Sequence, residues 1–137
     1  MLQSLLSSPK ANILEQSLTA ASLRHKVVSN NIANVNTPGF KKSEVAFEHL
    51  LKDALGSSKL AMANTNEKHI SNSSSPVNIT PAINTIGDTS MRTDGNNVDI
   101  DIEMAELAKN NIYYNSVAQM LSRHFSGLKS VIKEGNG

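Results

Sequence analysis

Asn30-Asn31-Ile32-Ala33-Asn34-Val35-Asn36-Thr37-Pro38-Gly39-Phe40 decides how the rest of the chain is read. Asn30, Asn31, Asn34 and Asn36 crowd this short stretch. Asparagine is a middling helix former because its amide competes for nearby backbone groups, and the same property suits it to helix ends and ordered polar contacts. Thr37 precedes a proline and is pushed out of the α region, so a helix arriving from the N-terminal side should stop at about Asn36. Pro38-Gly39 fits the central pair of a type II turn, with proline setting φ and glycine supplying a positive φ. The stretch reads as a helix end followed by a tight turn.

Upstream of it, Leu14, Leu18, Ala21, His25, Val28, Ile32 and Val35 follow a 4-3-4-3-4-3 spacing, the seven-residue repeat of a helix seam that packs on another helix. Ala20 and Val27 widen the stripe. The spacing predicts a helix over 10–36, capped either by Ser8 before Pro9 or by Asn12 with Glu15. At roughly 40 Å long it needs a partner along its length. A polar residue at a seam position, as His25 is, more often fixes register than performs chemistry.

Downstream, 37–56 holds the turn and a short amphipathic helix near Phe47 to Leu55, stopped by Gly56. The tract 57–97 changes character: 19 of its 41 residues are Ser, Asn or Thr, too polar to bury much alone, so it reads as an irregular excursion with short β pieces near Val77 to Ile86. The pattern returns over 98–134. Asp94-Gly95 signals a turn, and Asp99, Asp101, Glu103 and Glu106 place negative charge at the start of a helix whose end carries Arg123, Lys129 and Lys133, as the helix dipole favours. Its seam runs Met104, Leu107, Asn111, Tyr114, Ala118, Leu121, Phe125, Leu128 and Ile132. The expectation is one mainly α domain over 1–137. Its long terminal helices pair as a coiled-coil-like antiparallel hairpin around a short middle helix and a polar, largely irregular or partly β excursion. Both seams must be covered, by each other or by further copies.

Composition excludes several classes of function. The net charge of +1 gives no footprint for nucleic acid and no polybasic membrane patch. The absence of cysteine removes disulfides and thiolate sites. The start, MLQSLLSSPKANILEQ, lacks the basic and apolar regions of a secretory signal, and no apolar run is long enough to span a membrane.

Asp94, Asn96, Asp99 and Asp101 resemble a calcium loop, but the pattern wants a ligand at Val98, a glycine at Asp99 and a glutamate at Ala105, so helix capping is the better reading. His25, His49, His69 and His124 show no metal-ligand spacing. Tyr113 and Tyr114 read as packing anchors, because no basic groove accompanies them. No nucleophile elbow or phosphate loop occurs. The reading is therefore of no enzyme, no catalytic residue, no cofactor and no metal. A cytosolic helical-hairpin adaptor or chaperone is the alternative that two seams alone permit.

The run Asn31 to Phe40 resembles the N-terminal signature of the bacterial flagellar axial proteins, the rod, hook and hook-associated group, usually written NIANxxTPGY or NLANxxTxGF. The short chain, Lys41-Lys42-Ser43-Glu44-Val45-Ala46-Phe47 and the block DGNNVDIDIEMAELAKNNIYYNSVAQMLS are similar to the basal-body rod branch of that group. Asn36 stands where that branch often has Asp, and Phe40 where Tyr is common. The resemblance implies a structural subunit of the rod, the drive shaft that spans the periplasm and carries torque from motor to hook. It also implies export through the flagellar type III apparatus without a cleaved signal. Partners would be copies of itself, other rod proteins and adjacent basal-body or export-gate components, with no nucleic acid and no membrane insertion. Asn30 to Phe40 would be the assembly motif.

Overall fold

The computed structural model describes residues 8–57 and 79–134; His69 and the larger part of the polar tract lie outside them. Three helices and two short strands follow in the order α1 (Pro9–Ala33), β1 (Ser43–Ala46), α2 (Glu48–Ser57), β2 (Ala82–Thr85) and α3 (Ile100–Glu134).

Helix α1 starts where Ser8 and Pro9 place it. The Ser8 hydroxyl accepts from the Ala11 N–H at 3.2 Å, and Pro9 occupies the first turn, where a missing N–H costs nothing. Asn12 instead hydrogen-bonds Gln16 one turn on, at 2.9 Å. The helix ends at Ala33, earlier than Asn36, because the chain tightens into i→i+3 bonds: Val35 N–H to Ile32 O at 3.2 Å and Thr37 N–H to Asn34 O at 3.0 Å. Helix α3 starts at Ile100 behind Asp99, whose carboxylate accepts from the N–H groups of Asp101 and Ile102.

The two long helices form an antiparallel hairpin. Asn31 meets Glu103, Ala21 meets Asn110, and Ser8 meets His124, so numbers fall along one helix as they rise along the other. On α1 the buried residues are Ala11, Ser17, Ala20, Ala21, Val27, Val28 and Asn31. Small side chains let the helix backbones approach closely. On α3 the buried positions are Glu103, Asn110 and Val117, seven residues apart. This contact line differs in phase from the most apolar stripe: Met104, Tyr114, Phe125 and Ile132 point outward, between 43% and 54% exposed. Ala20 and Val27, which widen the α1 stripe in the sequence, are central to the packing, as is Val117 of α3, while Ile112 and Val131 remain outside.

Strand β1 is an element the periodicity did not announce. Val45 and Phe47 are buried two residues apart, the alternation of an extended chain, and β1 pairs antiparallel with β2 in the register Ser43↔Thr85 to Ala46↔Ala82. The β piece expected near Val77 to Ile86 is thus real at Ala82–Thr85, and it ties part of the polar tract back to the helical hairpin. Helix α2 spans Glu48–Ser57 and includes Gly56. Arg24 of α1 donates to both carboxylate oxygens of Glu48 at 2.7 Å, which fixes where α2 begins against α1.

Candidate functional site

The stretch Asn30 to Phe40 meets Asp94 to Val98 at the closed end of the hairpin, and three fully buried asparagines hold the joint. Asn96 Nδ2 donates towards the carbonyls of Asn34 at 3.0 Å, Val35 at 3.1 Å and Thr37 at 2.9 Å, the groups a terminating helix leaves without partners. Its Oδ1 accepts from Val98 N–H at 2.7 Å, and its backbone carbonyl accepts from the N–H groups of Met91 and Arg92. Buried amides of this kind are stable only when both ends of the side chain are satisfied, as they are here.

The turn itself forms as its residues require. Gly39 has φ 70°, and Phe40 N–H reaches Thr37 O at 3.3 Å, closing a turn with the positive φ of type II. Gly39 N–H donates to Asp94 O at 2.9 Å, docking the turn on a second one at Gly95, where φ is 82°. A Cβ on Gly95 would lie 3.8 Å from Gly39 Cα, an ordinary contact, so backbone conformation rather than space selects glycine there.

Asn97 holds β1 to the segment that follows β2. Its Oδ1 accepts from Lys42 N–H at 2.7 Å, and its Nδ2 donates to Ile86 O at 2.8 Å and Thr89 Oγ1 at 3.0 Å. Asn31 grips the other edge of β1: Nδ2 donates to Ser43 O at 2.9 Å and Oδ1 accepts from Ser43 N–H at 3.0 Å. The same Nδ2 donates to Glu103 Oε2 at 3.0 Å, reaching α3 from α1. Glu103, only 4% exposed, has Lys42 Nζ 3.9 Å away as its cation.

The motif residues therefore divide. Asn31 is spent inside the chain, while Asn30, Asn36, Thr37, Pro38 and Gly39 lie exposed around the turn, and Ile32, Asn34, Val35 and Phe40 are half-buried. The Asn34 amide donates to Asn30 O at 2.8 Å and accepts from Thr37 Oγ1 at 3.2 Å, which caps α1 locally. Of the α1 seam, Ala21 and Val28 are buried, Leu14 and Leu18 are half-buried, and His25 is exposed. Of the α3 seam, Leu107, Ala118, Leu121 and Leu128 are half-buried, whereas Met104, Asn111, Tyr114, Phe125 and Ile132 are exposed. The buried α3 amide is Asn110, whose Nδ2 donates to Ala21 O at 2.9 Å; its Oδ1 is the buried side-chain atom left without a partner among the described residues.

Sequence reasoning missed Asn97, Asn110 and the burial of Glu103, and it placed Asn96 among the helix-capping residues, whereas Asp99 caps α3 and Asn96 bonds the carbonyls that follow α1. Asn96-Asn97 directly after Asp94-Gly95 carried a usable signal, because side-chain amides beside a turn commonly bond backbone groups.

Beside the joint, α1, β1 and α3 enclose a groove of about 550 Å³ between Val27, Val45, Ile102 and Tyr113. Its cations are matched within the chain: Arg24 with Glu48 at 2.7 Å, Lys42 with Glu44 at 3.1 Å, and Lys109 with Glu106 at 3.0 Å.

A joint built from side-chain-to-backbone bonds closes a hairpin whose most apolar stripe stays open, the build of a structural subunit with a face left for neighbours. The family model described as "Flagella basal body rod protein" matches residues 12–41, which cover most of α1 and the turn. The chain is 40% identical over 122 residues to the flagellar basal body rod protein FlgB of Bacillus subtilis (strain 168), covering 89% of this chain and 92% of that one. It is 35% identical over 134 residues to FlgB of Borrelia hermsii, at 89% and 99% coverage, and 34% identical over 122 residues to FlgB of Aeromonas hydrophila, at 88% and 90%. The chain belongs to the FlgB family of flagellar basal body rod proteins.

Proposed function

We propose that this chain is a structural subunit of the flagellar basal-body rod, assembled through its terminal helices into the shaft that carries torque from motor to hook. The family is structural rather than enzymatic, and its place is the basal body. The observation that carries the reading is similarity to FlgB proteins over nearly the whole of both chains, on a hairpin with an unpartnered apolar stripe. Copies of this chain, other rod proteins and the adjacent export-gate components are its partners in this reading. Its export runs through the flagellar type III apparatus, and the free subunit completes its terminal packing only on assembly. In the assembled rod, Asn30, Asn36, Thr37 and Pro38 contribute to contacts between subunits, and the seam positions Met104, Asn111, Tyr114, Phe125 and Ile132 pack on neighbouring helices.

Deletion with complementation tests this. A strain lacking the chain should be non-motile with rodless basal bodies, and the intact chain should restore both. The double variant Asn34→Leu/Gly39→Val should be exported but should not restore motility, since valine is strained at the Gly39 φ of 70°. Motile cells carrying that variant would overturn the role given to the turn. A protein retained in the cytoplasm of motile cells would favour a hairpin adaptor instead.

A further inference from the structure

The groove between α1, β1 and α3 holds two hydrogen-bond acceptors of α3 that the rest of the chain leaves unused. Asn110, 3% exposed, turns its Nδ2 to Ala21 O at 2.9 Å. Asn110 borders the groove and Ala21 does not, so Oδ1, the buried side-chain atom without a partner among the described residues, is the end left on the groove side. Glu103 accepts from Asn31 Nδ2 at Oε2, at 3.0 Å, while its Oε1 has Lys42 Nζ 3.9 Å away, beyond hydrogen-bond reach. That ammonium lies closer to Glu44, at 3.1 Å. Glu103 and Asn110 are two turns apart on one face of the helix, roughly 10 Å along its axis.

These groups select the chemistry of an occupant. Buried acceptors call for a donor. The three cations of the groove, Arg24, Lys42 and Lys109, face four carboxylates, and the carboxylate left over is the buried Glu103. An anion would add to that excess of negative charge, and a purely apolar segment would seal both acceptors away from water unpaired. A lysine ammonium matches the charge but is a compact, strongly hydrated ion, whereas the walls include Val27, Val45, Ile102 and the Tyr113 ring. A guanidinium carries donors only, can meet a carboxylate through two of them, and lies against apolar and aromatic surface with little loss of hydration.

We infer that the groove is a recognition site for an arginine side chain carried by another protein. The guanidinium meets Glu103, the aliphatic stem lies against Val27 and Ile102, and the main-chain N–H at its base donates to Asn110 Oδ1. The site goes beyond the rod reading and does not depend on it.

Titration of the full-length chain with N-acetylarginine methylamide, followed by two-dimensional amide NMR, tests the site. The expected result is saturable shifts at Val45, Ile102, Asn110 and Tyr113. The neutral isostere N-acetylcitrulline methylamide should bind roughly tenfold more weakly, since it lacks the charge that Glu103 answers. Glu103→Gln should abolish that preference while the chain stays folded by circular dichroism. Asn110→Leu removes an unpaired buried acceptor and should leave the fold intact; it should weaken both ligands about fivefold and leave their ratio unchanged. Free arginine, which lacks the capped main-chain amide and brings a carboxylate towards Glu106, should bind more weakly than the capped form. Shifts that do not saturate, shifts that map outside the groove, or equal binding of the arginine and citrulline ligands to the unaltered chain would overturn the site, with no variant needed. A preference that survives Glu103→Gln would overturn the role of Glu103, and equal or tighter binding of free arginine would overturn a protein-borne source.

Discussion

Removing the Asn96 side chain should loosen the closed end of the hairpin without touching either helix. In Asn96→Ala the carbonyls of Asn34, Val35 and Thr37 lose their shared donor, and buried Val98 N–H loses its acceptor. The losses are unequal. Thr37 O still receives Phe40 N–H at 3.3 Å, Asn34 O still receives Thr37 N–H at 3.0 Å, and Val35 O keeps Arg92 Nη1 at 3.4 Å. An amide nitrogen has two hydrogens, so three short contacts count as two bonds, at about 1 kcal/mol each, and orphaning the Val98 donor adds about 1–2 kcal/mol. The expected loss is about 3–4 kcal/mol, a large share of a typical domain stability of about 5–15 kcal/mol. Urea unfolding followed by far-UV circular dichroism should show the midpoint falling by about 1.5–2 M if the slope is about 2 kcal/mol/M. Asn96→Asp sharpens the test: it keeps an acceptor for Val98 N–H but turns a carboxylate oxygen towards three carbonyl oxygens, so it should cost at least as much as alanine. If Asn96→Ala stays within about 1 kcal/mol of the unaltered chain, the joint is not what holds this end together.

The same logic predicts the opposite for Asn110. Asn110→Leu gives up one bond to Ala21 O but also removes an acceptor buried without a partner, so urea midpoints should place it within about 1 kcal/mol of the unaltered chain; a loss as large as that at Asn96 would show that Oδ1 is satisfied in solution. Glu48 supplies a pH dependence. Burial alone would raise its carboxyl, but the Arg24 hydrogen bond, its own backbone N–H and the charges of Arg24 and His49 together hold it below the ordinary 4.5. A carboxyl that ionises more readily folded than unfolded contributes stability above its unfolded pKa and loses it as pH falls through the folded one. Acid titration of the unfolding midpoint should therefore show a small loss below about pH 4.5, under about 1 kcal/mol for so exposed a pair, and Glu48→Gln should flatten that part of the curve.

The helical hairpin was legible because its signals are local and repeated: heptad spacing, Ser8 before Pro9, acidic residues opening α3, and Pro38-Gly39 at the turn. The phase of the pairing was not. Hydropathy marks Met104, Tyr114 and Phe125 as the face to bury, yet the chain packs Glu103, Asn110 and Val117 against α1, where Glu103 and the Asn110 Nδ2 find partners that only the folded chain assembles. Strand β1 escaped notice for a related reason. Its two inward residues, Val45 and Phe47, are too few to show a period, and the register that pairs Ser43 with Thr85 joins positions 42 apart. The asparagine joint was half visible, as a cluster of amides on one side and a turn signal on the other. Nothing in either stretch says that they meet.

The line of contacts along α3 also bears on mechanical duty. Glu103, Asn110 and His124 fall on one heptad position and reach Asn31, Ala21 and Ser8, the last by a 3.1 Å contact between Ser8 Oγ and His124 Nε2. Apolar faces alone let a helix roll against its neighbour at little cost, because dispersion contacts are non-directional. Hydrogen bonds at three heights do not: turning α3 about its own axis by one residue would misalign all of them together. They act as keys between two spindles, and a component built of such pairs passes on rotation without its strands slipping in phase.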